Sequence, residues 1–330
     1  MRKIRIAQIG TSEYSHGHPV FDTIASRPDV FEIVGYALPE NEREKFPKQA
    51  QAFDGYKEMT VEEILADDSI EAVTVETEEI YLTKYALMVA RSGKHLHMEK
   101  PGGPDLSEFR ALIEVLKEKR LAFSMGYMYR FNPKIREAID KVKQGDLGEI
   151  YSVEAQMNCS HDIDLREWLS ILPGGMLYFL GCHLIDLVYT IQGEPEEIIP
   201  LSCSTGFDNV NTLDFGMAIF KYKNGLSFIK TCDNERGGYL RRNLVICGKK
   251  GTIEIKPLEA YHDKRFMYAE SQETYDSEWL KPWTKSRSEL FDRYDAMMRN
   301  FGELVRGKEN PYTYDYELKL YEIILKACGA

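Results

Sequence analysis

The sequence predicts an α/β protein in two parts. A doubly wound parallel sheet is expected over residues 1–125, and an α/β domain with a large, open, mostly antiparallel sheet over residues 126–330. Short apolar runs alternate with amphipathic helical segments in the first part, the pattern of a parallel sheet with crossover helices. After about residue 148 the runs lengthen, take a period of two, and are separated by turn residues such as "KNG" (223–225) and "GKKG" (248–251). The third observation is Gly10, which ends the first apolar run and opens a helix-like segment.

Taken in order, "IRIAQIG", "FEIVGYAL" (31–38), "EAVTVET" (71–77), "KHLHME" (94–99) and "LAFSMGY" (121–127) read as strands. Helices are expected at 18–26, 61–67, 80–92 and 105–119, the last with Asp105 and Glu108 spaced as a capping pair. In the second part "EIYSVEAQMNC", "LDFGMAIFKY", "GLSFIKTCDN", "RRNLVICG" and "GTIEIKP" are strands. Residues 176–191 form a buried helix, and helices at 286–306 and 314–327 close the chain, the last expected to pack back on the first domain. Ligands of doubly wound sheets sit at the carboxyl ends of the strands. Gly10, Leu38, Thr77 and Glu99 occupy those ends.

Composition removes several classes of function. A net charge of −11 argues against nucleic acid, which needs a basic surface. The most apolar window, "MLYFLGCHLIDLVYTI", is interrupted by His183 and Asp186 and is shorter than the roughly 20 residues of a membrane span. The apolar stretch at the start is too short for a signal sequence. Six scattered cysteines without a CxxC pair fit free thiols in a reducing cytoplasm. His16 and His18, with His95, His97, His161 or His183, would suit a transition metal, but HxH on a loop is a weak signal and no metal is expected.

"GKHLHMEKP" (93–101) sets a lysine at a strand's carboxyl end, followed by a proline that fixes the turn. With "YRFNP" (129–133), "GDLGEI" (145–150) and "PGGMLYFLGCHLIDL" (173–187) in the same order, the chain resembles the Gfo/Idh/MocA family of oxidoreductases over nearly its whole length. The resemblance implies an N-terminal Rossmann domain for NAD or NADP and a substrate-binding domain whose sheet forms a homodimer or homotetramer. It also implies a sugar, cyclitol or polyol as substrate. Glu99, Lys100 and Pro101 match the family's EKP, whose lysine lies beside the nicotinamide. His183 matches its acid/base histidine, and Tyr129 and Asp186 are supporting candidates.

Four departures stand out. Ser12 and Ser15 replace two glycines of the phosphate loop, while His18 keeps its place at the helix start. A serine hydroxyl can itself donate to a phosphate, and the helix N–H groups remain available for an anion. Leu38 stands where an acid usually holds the adenosine ribose, with Asn41 and Arg43 as substitutes, an arginine suiting a 2′-phosphate. NAD against NADP stays open. Thr77 is retained from the family's T-P-N-x-x-H, but Glu78 and Glu79 follow it, facing a sugar hydroxyl or solvent. Phe179 replaces the aspartate that usually accompanies the histidine. On helical spacing Phe179, His183 and Asp186 share a face, so Asp186 either orients the imidazole or packs.

Alcohol oxidation needs a hydride acceptor and a base for the hydroxyl proton. Lys100 is expected to orient and acidify the hydroxyl, and His183 to move the proton. His161, Asp162, Arg166 and Trp168 in "NCSHDIDLREW" (158–168) would suit a polyhydroxylated ligand, or form a solvated loop. Two alternatives remain: an enzyme that oxidises and re-reduces its sugar on retained NAD during elimination or glycoside cleavage, and a non-catalytic binding or regulatory homologue.

Overall fold

The computed structural model describes residues 2–330. The chain divides into two compact units, one of residues up to Tyr127 with Tyr294–Tyr321, the other of Met128–Arg293 with Glu322–Ala330.

In the first unit the chain runs β1 (Ile4–Ile9), α1 (Gly17–Ala25), β2 (Phe31–Ala37), α2 (Glu42–Lys45), α3 (Pro47–Ala50), α4 (Val61–Ala66), β3 (Ala72–Val75), α5 (Leu82–Arg91), β4 (His95–Met98), α6 (Leu106–Lys119) and β5 (Phe123–Met125). The strands form a parallel sheet in the order β2-β1-β3-β4-β5. β3 is buried at every position, as a strand covered on both faces requires. Thr60 and Glu63 close a reciprocal capping box on α4, and Asp105 accepts from the Ser107 and Glu108 N–H groups at the start of α6. The single-turn helices α2 and α3 leave no hydrophobic period to read, yet they carry a residue of the site.

The second unit holds α7 (Pro133–Gln144), β6 (Ile150–Asn158), α8 (Ile163–Trp168), α9 (Cys182–Gln192), β7 (Glu197–Cys203), β8 (Phe215–Tyr222), β9 (Gly225–Cys232), β10 (Asn243–Gly248), β11 (Gly251–Ile255), β12 (Ala260–Tyr261), β13 (Phe266–Tyr268), β14 (Glu270–Thr274), β15 (Thr284–Arg287) and β16 (Phe291–Asp292). Its eight-stranded sheet has the order β15-β14-β11-β10-β6-β9-β8-β7. All its pairs are antiparallel except β6 with β9. Two helices follow, α10 (Asp295–Val305) and α11 (Tyr314–Cys328).

Two sequence expectations need correction. The helix expected from 286 begins at Asp295, because residues Thr284–Arg287 pair with β14 as an edge strand. The helix expected over 176–191 is not one α-helix: Leu177–Gly181 form a π-helical turn that feeds α9. A π turn is wider than an α turn, so Phe179 does not keep α-helical spacing to His183 and Asp186.

Candidate active site

Gly10 ends β1 at φ +89°, and a Cβ there would lie 2.3 Å from Thr77 Cγ2 and 2.7 Å from Thr77 N. The first and third strand ends therefore meet through a position only glycine can fill. Beyond it, Ser12 and Ser15 knit the loop to itself. Ser12 N donates to Ser15 Oγ (3.1 Å), Ser15 N to Ser12 Oγ (2.9 Å), and Gly17 N to Ser15 Oγ (3.2 Å). Ser15 Oγ donates to the Glu76 carbonyl at 3.2 Å. The Ser15 hydroxyl, expected as a phosphate donor, is thus already used within the loop. Ser12 is not at positive φ, so it carries no left-handed strain. His18 is half-buried in α1, with burial lowering its proton affinity and Asp22 opposing.

Leu38 is half-buried and packs against the aromatic cluster of Phe21, Tyr36 and Phe53. Arg43 donates to Tyr36 Oη and to Glu58. Instead Glu42, which sequence reasoning missed, is wholly buried and accepts from the Thr11 N–H at 3.1 Å. Its other oxygen has no hydrogen-bond partner. Burial pushes this carboxyl up to about 9, against the Thr11 N–H. The only signal was an acid four residues past Leu38.

At the carboxyl end of β4, Lys100 is 1% exposed, with Nζ 3.3 Å from Glu99 Oε1. His16 Nδ1 lies 3.1 Å from the same Glu99 oxygen. Burial raises Glu99, but His16 and Lys100 override it and hold the carboxyl down at about 2. Two more buried acids surround Lys100. Glu76 is raised well above the carboxylate range by burial and by Glu99, and Glu79 by burial to about 7, with Lys100 opposing both. Solvent is therefore excluded as the environment of Glu79, while Glu78 pairs with Lys45 at 3.5 Å. His97 Nε2 sits 3.6 Å from Glu76, and burial lowers it to about 4.

In the second unit His183 is 1% exposed on α9, and the Tyr129 ring meets it edge-on at 5.2 Å. Tyr129 Oη donates to Glu259 at 2.6 Å, and Arg242 Nη1 donates to Tyr129 Oη at 3.3 Å. Asp186 receives Arg130 through Nε at 3.0 Å and Nη2 at 2.7 Å, so both its oxygens serve a buried ion pair. This favours packing over orienting His183. Phe179 lies edge-to-face with Trp168 at 5.4 Å.

Of the segment 158–168, Ile163–Trp168 fold into α8, while Asp162, Ile163 and Asp164 stay exposed. Asp162 caps that helix by accepting from Leu165 N at 3.1 Å. Arg166 is buried and donates to Asp208 (2.6 Å), the Phe207 carbonyl (2.9 Å) and Asp214 (3.2 Å). Both were expected at a ligand, and both are committed to the fold. His161 pairs with Asp233, and although burial lowers it, its bonds to Asp233 and Cys159 raise it to about 9. Among the described residues no three His, Cys, Asp or Glu side chains group to hold a metal, and no helix is long and apolar enough to cross a membrane.

Residues 4–127 match the family model for an oxidoreductase family with an NAD-binding Rossmann fold, and residues 135–254 that for a GFO/IDH/MocA C-terminal domain. An uncharacterised oxidoreductase of Schizosaccharomyces pombe is 29% identical over 204 residues, 60% of this chain and 54% of the relative. The chain thus spans about half the length of the curated relatives it matches. A solved putative NADPH-dependent oxidoreductase from Desulfitobacterium hafniense superposes with TM-score 0.80 at 18% identity, covering 100% of this chain and 95% of the other. A levoglucosan dehydrogenase in complex with NADH and levoglucosan superposes with TM-score 0.79 at 17% identity, covering 99% and 98%. At these identities the superpositions establish the shared fold.

Proposed function

The chain belongs to the Gfo/Idh/MocA oxidoreductase family, and from that premise we propose that it transfers a hydride between a nicotinamide dinucleotide and a secondary alcohol or ketone of a sugar, cyclitol or related polyol. The observation that carries this reading is Lys100, a lysine sealed from water at the carboxyl end of β4 with Nζ 3.3 Å from Glu99. A buried ammonium beside a carboxylate is positioned to bind a hydroxyl oxygen and stabilise it as its proton leaves. The sugar class is supported by the likeness in fold to levoglucosan dehydrogenase.

The residues fit a dinucleotide. The Gly10 turn and the start of α1 suit the pyrophosphate. Glu42, with a buried oxygen lacking a donor beside the Thr11 N–H, suits the adenosine ribose diol in place of Leu38. Two ribose hydroxyls would supply the donors that burial denies Glu42, and a 2′-phosphate would replace one of those hydroxyls with a group that only accepts. On that ground we propose NAD rather than NADP as the cofactor. The bound nicotinamide supplies the hydride acceptor, or the donor in the reverse direction. Lys100 orients and acidifies the substrate hydroxyl, and the buried imidazole of His183 takes its proton.

Lys100→Met tests the reading. In a polyol panel monitored by NADH formation, the variant is expected to lose about 10²–10³-fold in kcat while still binding NADH, since the lysine acts on the developing alkoxide. Unchanged turnover would remove Lys100 from the chemistry. A second reading, a non-catalytic homologue, is favoured by one observation. Ser15 Oγ already takes the Ser12 and Gly17 N–H groups of the phosphate loop. That reading expects no nicotinamide form to bind.

A further inference from the structure

The six cysteines do not share one environment. Burial pushes the Cys232, Cys247 and Cys328 thiols up. Cys182 is wholly buried, and Cys203 is exposed. Cys159 alone among the described residues sits in a constellation of nucleophile, base and orienting acid. Arg242 Nη2 donates to its sulfur, His161 hydrogen-bonds it, and Asp233 pairs with Nδ1 of His161. Asp233 is fully buried, with its second oxygen lacking a hydrogen-bond partner.

The backbone fixes this arrangement. Cys159 N donates to the Cys232 carbonyl at 2.8 Å and His161 N to the Asp233 carbonyl at 3.0 Å. Glu235 N returns to the Cys159 carbonyl at 2.7 Å. The segments after β6 and β9 are thus laced together, and Arg242 reaches in from just before β10. Around them lie Tyr129, Glu259 3.6 Å from Arg242, Arg293 paired with Glu259, and Lys230 paired with Glu235. Although burial raises Cys159, His161 and Arg242 outweigh it and lower its proton affinity. Low proton affinity beside cationic groups is what makes a thiol nucleophilic.

We propose that Cys159 is a reactive-thiol site whose sulfur, held beside Arg242, passes its proton to the Asp233-anchored imidazole of His161 and takes a hydroperoxide as its electrophile. The sulfur attacks the distal peroxide oxygen, so an S–O bond forms and the O–O bond breaks. Sulfur gives up two electrons and becomes the sulfenic acid. The departing alkoxide takes the proton of His161 and leaves as the alcohol, or as water from hydrogen peroxide. A small peroxide suits the access available, since Cys159 is 8% exposed and the His161 side chain 27%. Because Arg242 also donates to Tyr129, whose ring meets His183, the site adjoins the acid/base histidine without belonging to it.

The experiment uses the full chain at pH 7 with hydrogen peroxide and dimedone, and locates the sulfenate adduct by peptide mass mapping. Cys159 is expected to be trapped about tenfold or more faster than the exposed Cys203, with His161→Gln slowing Cys159 by a similar factor. Trapping at Cys203 ahead of Cys159 would overturn the proposal on the wild-type protein alone. An unchanged Cys159 rate in a folded His161→Gln variant would also overturn it. Neither readout uses a nicotinamide or a polyol, so its failure is separate from failure of the dehydrogenase reading.

Discussion

At Glu42 burial and hydrogen bonding oppose each other, and burial wins. The carboxyl is raised from 4.5 to about 9. Between those values the folded chain holds a proton that the unfolded chain has released, so stability falls as pH rises across that window. Glu42→Gln removes this cost. It is expected to raise Tm at pH 8, by about 1–3 kcal/mol of stability, while leaving Tm at pH 4 nearly unchanged. The same substitution should weaken NAD binding by roughly tenfold or more, since a charge-assisted bond contributes about 1.5–3 kcal/mol. Thermal melts at the two pH values and calorimetry on the variant check both halves. A variant that binds NAD as tightly as the parent would remove Glu42 from the ribose. Lys100 and His183 were proposed from the sequence because their types and flanking residues match a family pattern. Glu42 was not, because nothing in "PENER" distinguishes a buried acid from a solvated one. The structural duties of Asp162 and Arg166 were hidden for the same reason: a residue suited to bind a hydroxyl is equally suited to cap a helix or fill an ion-pair network.

Among elements, α9 and the turn before it divide the site from its support. Asp186, one turn beyond His183, receives Arg130 at 2.7 Å with both side chains buried. Removing one charge of such a pair leaves the other unmatched, at about 3–5 kcal/mol. Asp186→Asn keeps the shape and part of the hydrogen bonding, so its expected effect is a clear loss of Tm with kcat of the folded fraction little changed. A large fall in kcat at unchanged Tm would instead make Asp186 the partner of the imidazole. The parallel strands of the first unit were legible because each is a short apolar run between helix signals. The π turn over Leu177–Gly181 was not, since periodicity counts 3.6 residues per turn and has no register for a wider one. The edge strand Thr284–Arg287 was hidden because all four of its residues are exposed.

Across the whole molecule, the change of pattern near residue 148 correctly marked a parallel sheet followed by a largely antiparallel one. The sequence reading set only the closing helix 314–327 against the first domain; Tyr294–Tyr321, which also takes in α10, groups with that unit, and amphipathic helices carry no address from which this could be read. Tyr151, Ile199, Leu201 and Leu226 are exposed on strands of the eight-stranded sheet. Apolar side chains gathered on a sheet face mark an association surface. Sedimentation of the purified chain is expected to give a dimer or tetramer that Leu201→Lys with Leu226→Lys dissociates. A monomer at micromolar concentration would contradict that assignment.

The hydride transfer proposed for this chain depends on the first unit holding a nicotinamide dinucleotide despite its altered loop. Calorimetric titration with NAD, NADH, NADP and NADPH, with nicotinamide fluorescence for the reduced forms, tests it most directly. The account predicts binding of NAD and NADH, weaker binding of the phosphorylated pair, and proton release as Glu42 gains its ribose donors. Absence of binding by all four forms at millimolar concentration would contradict it.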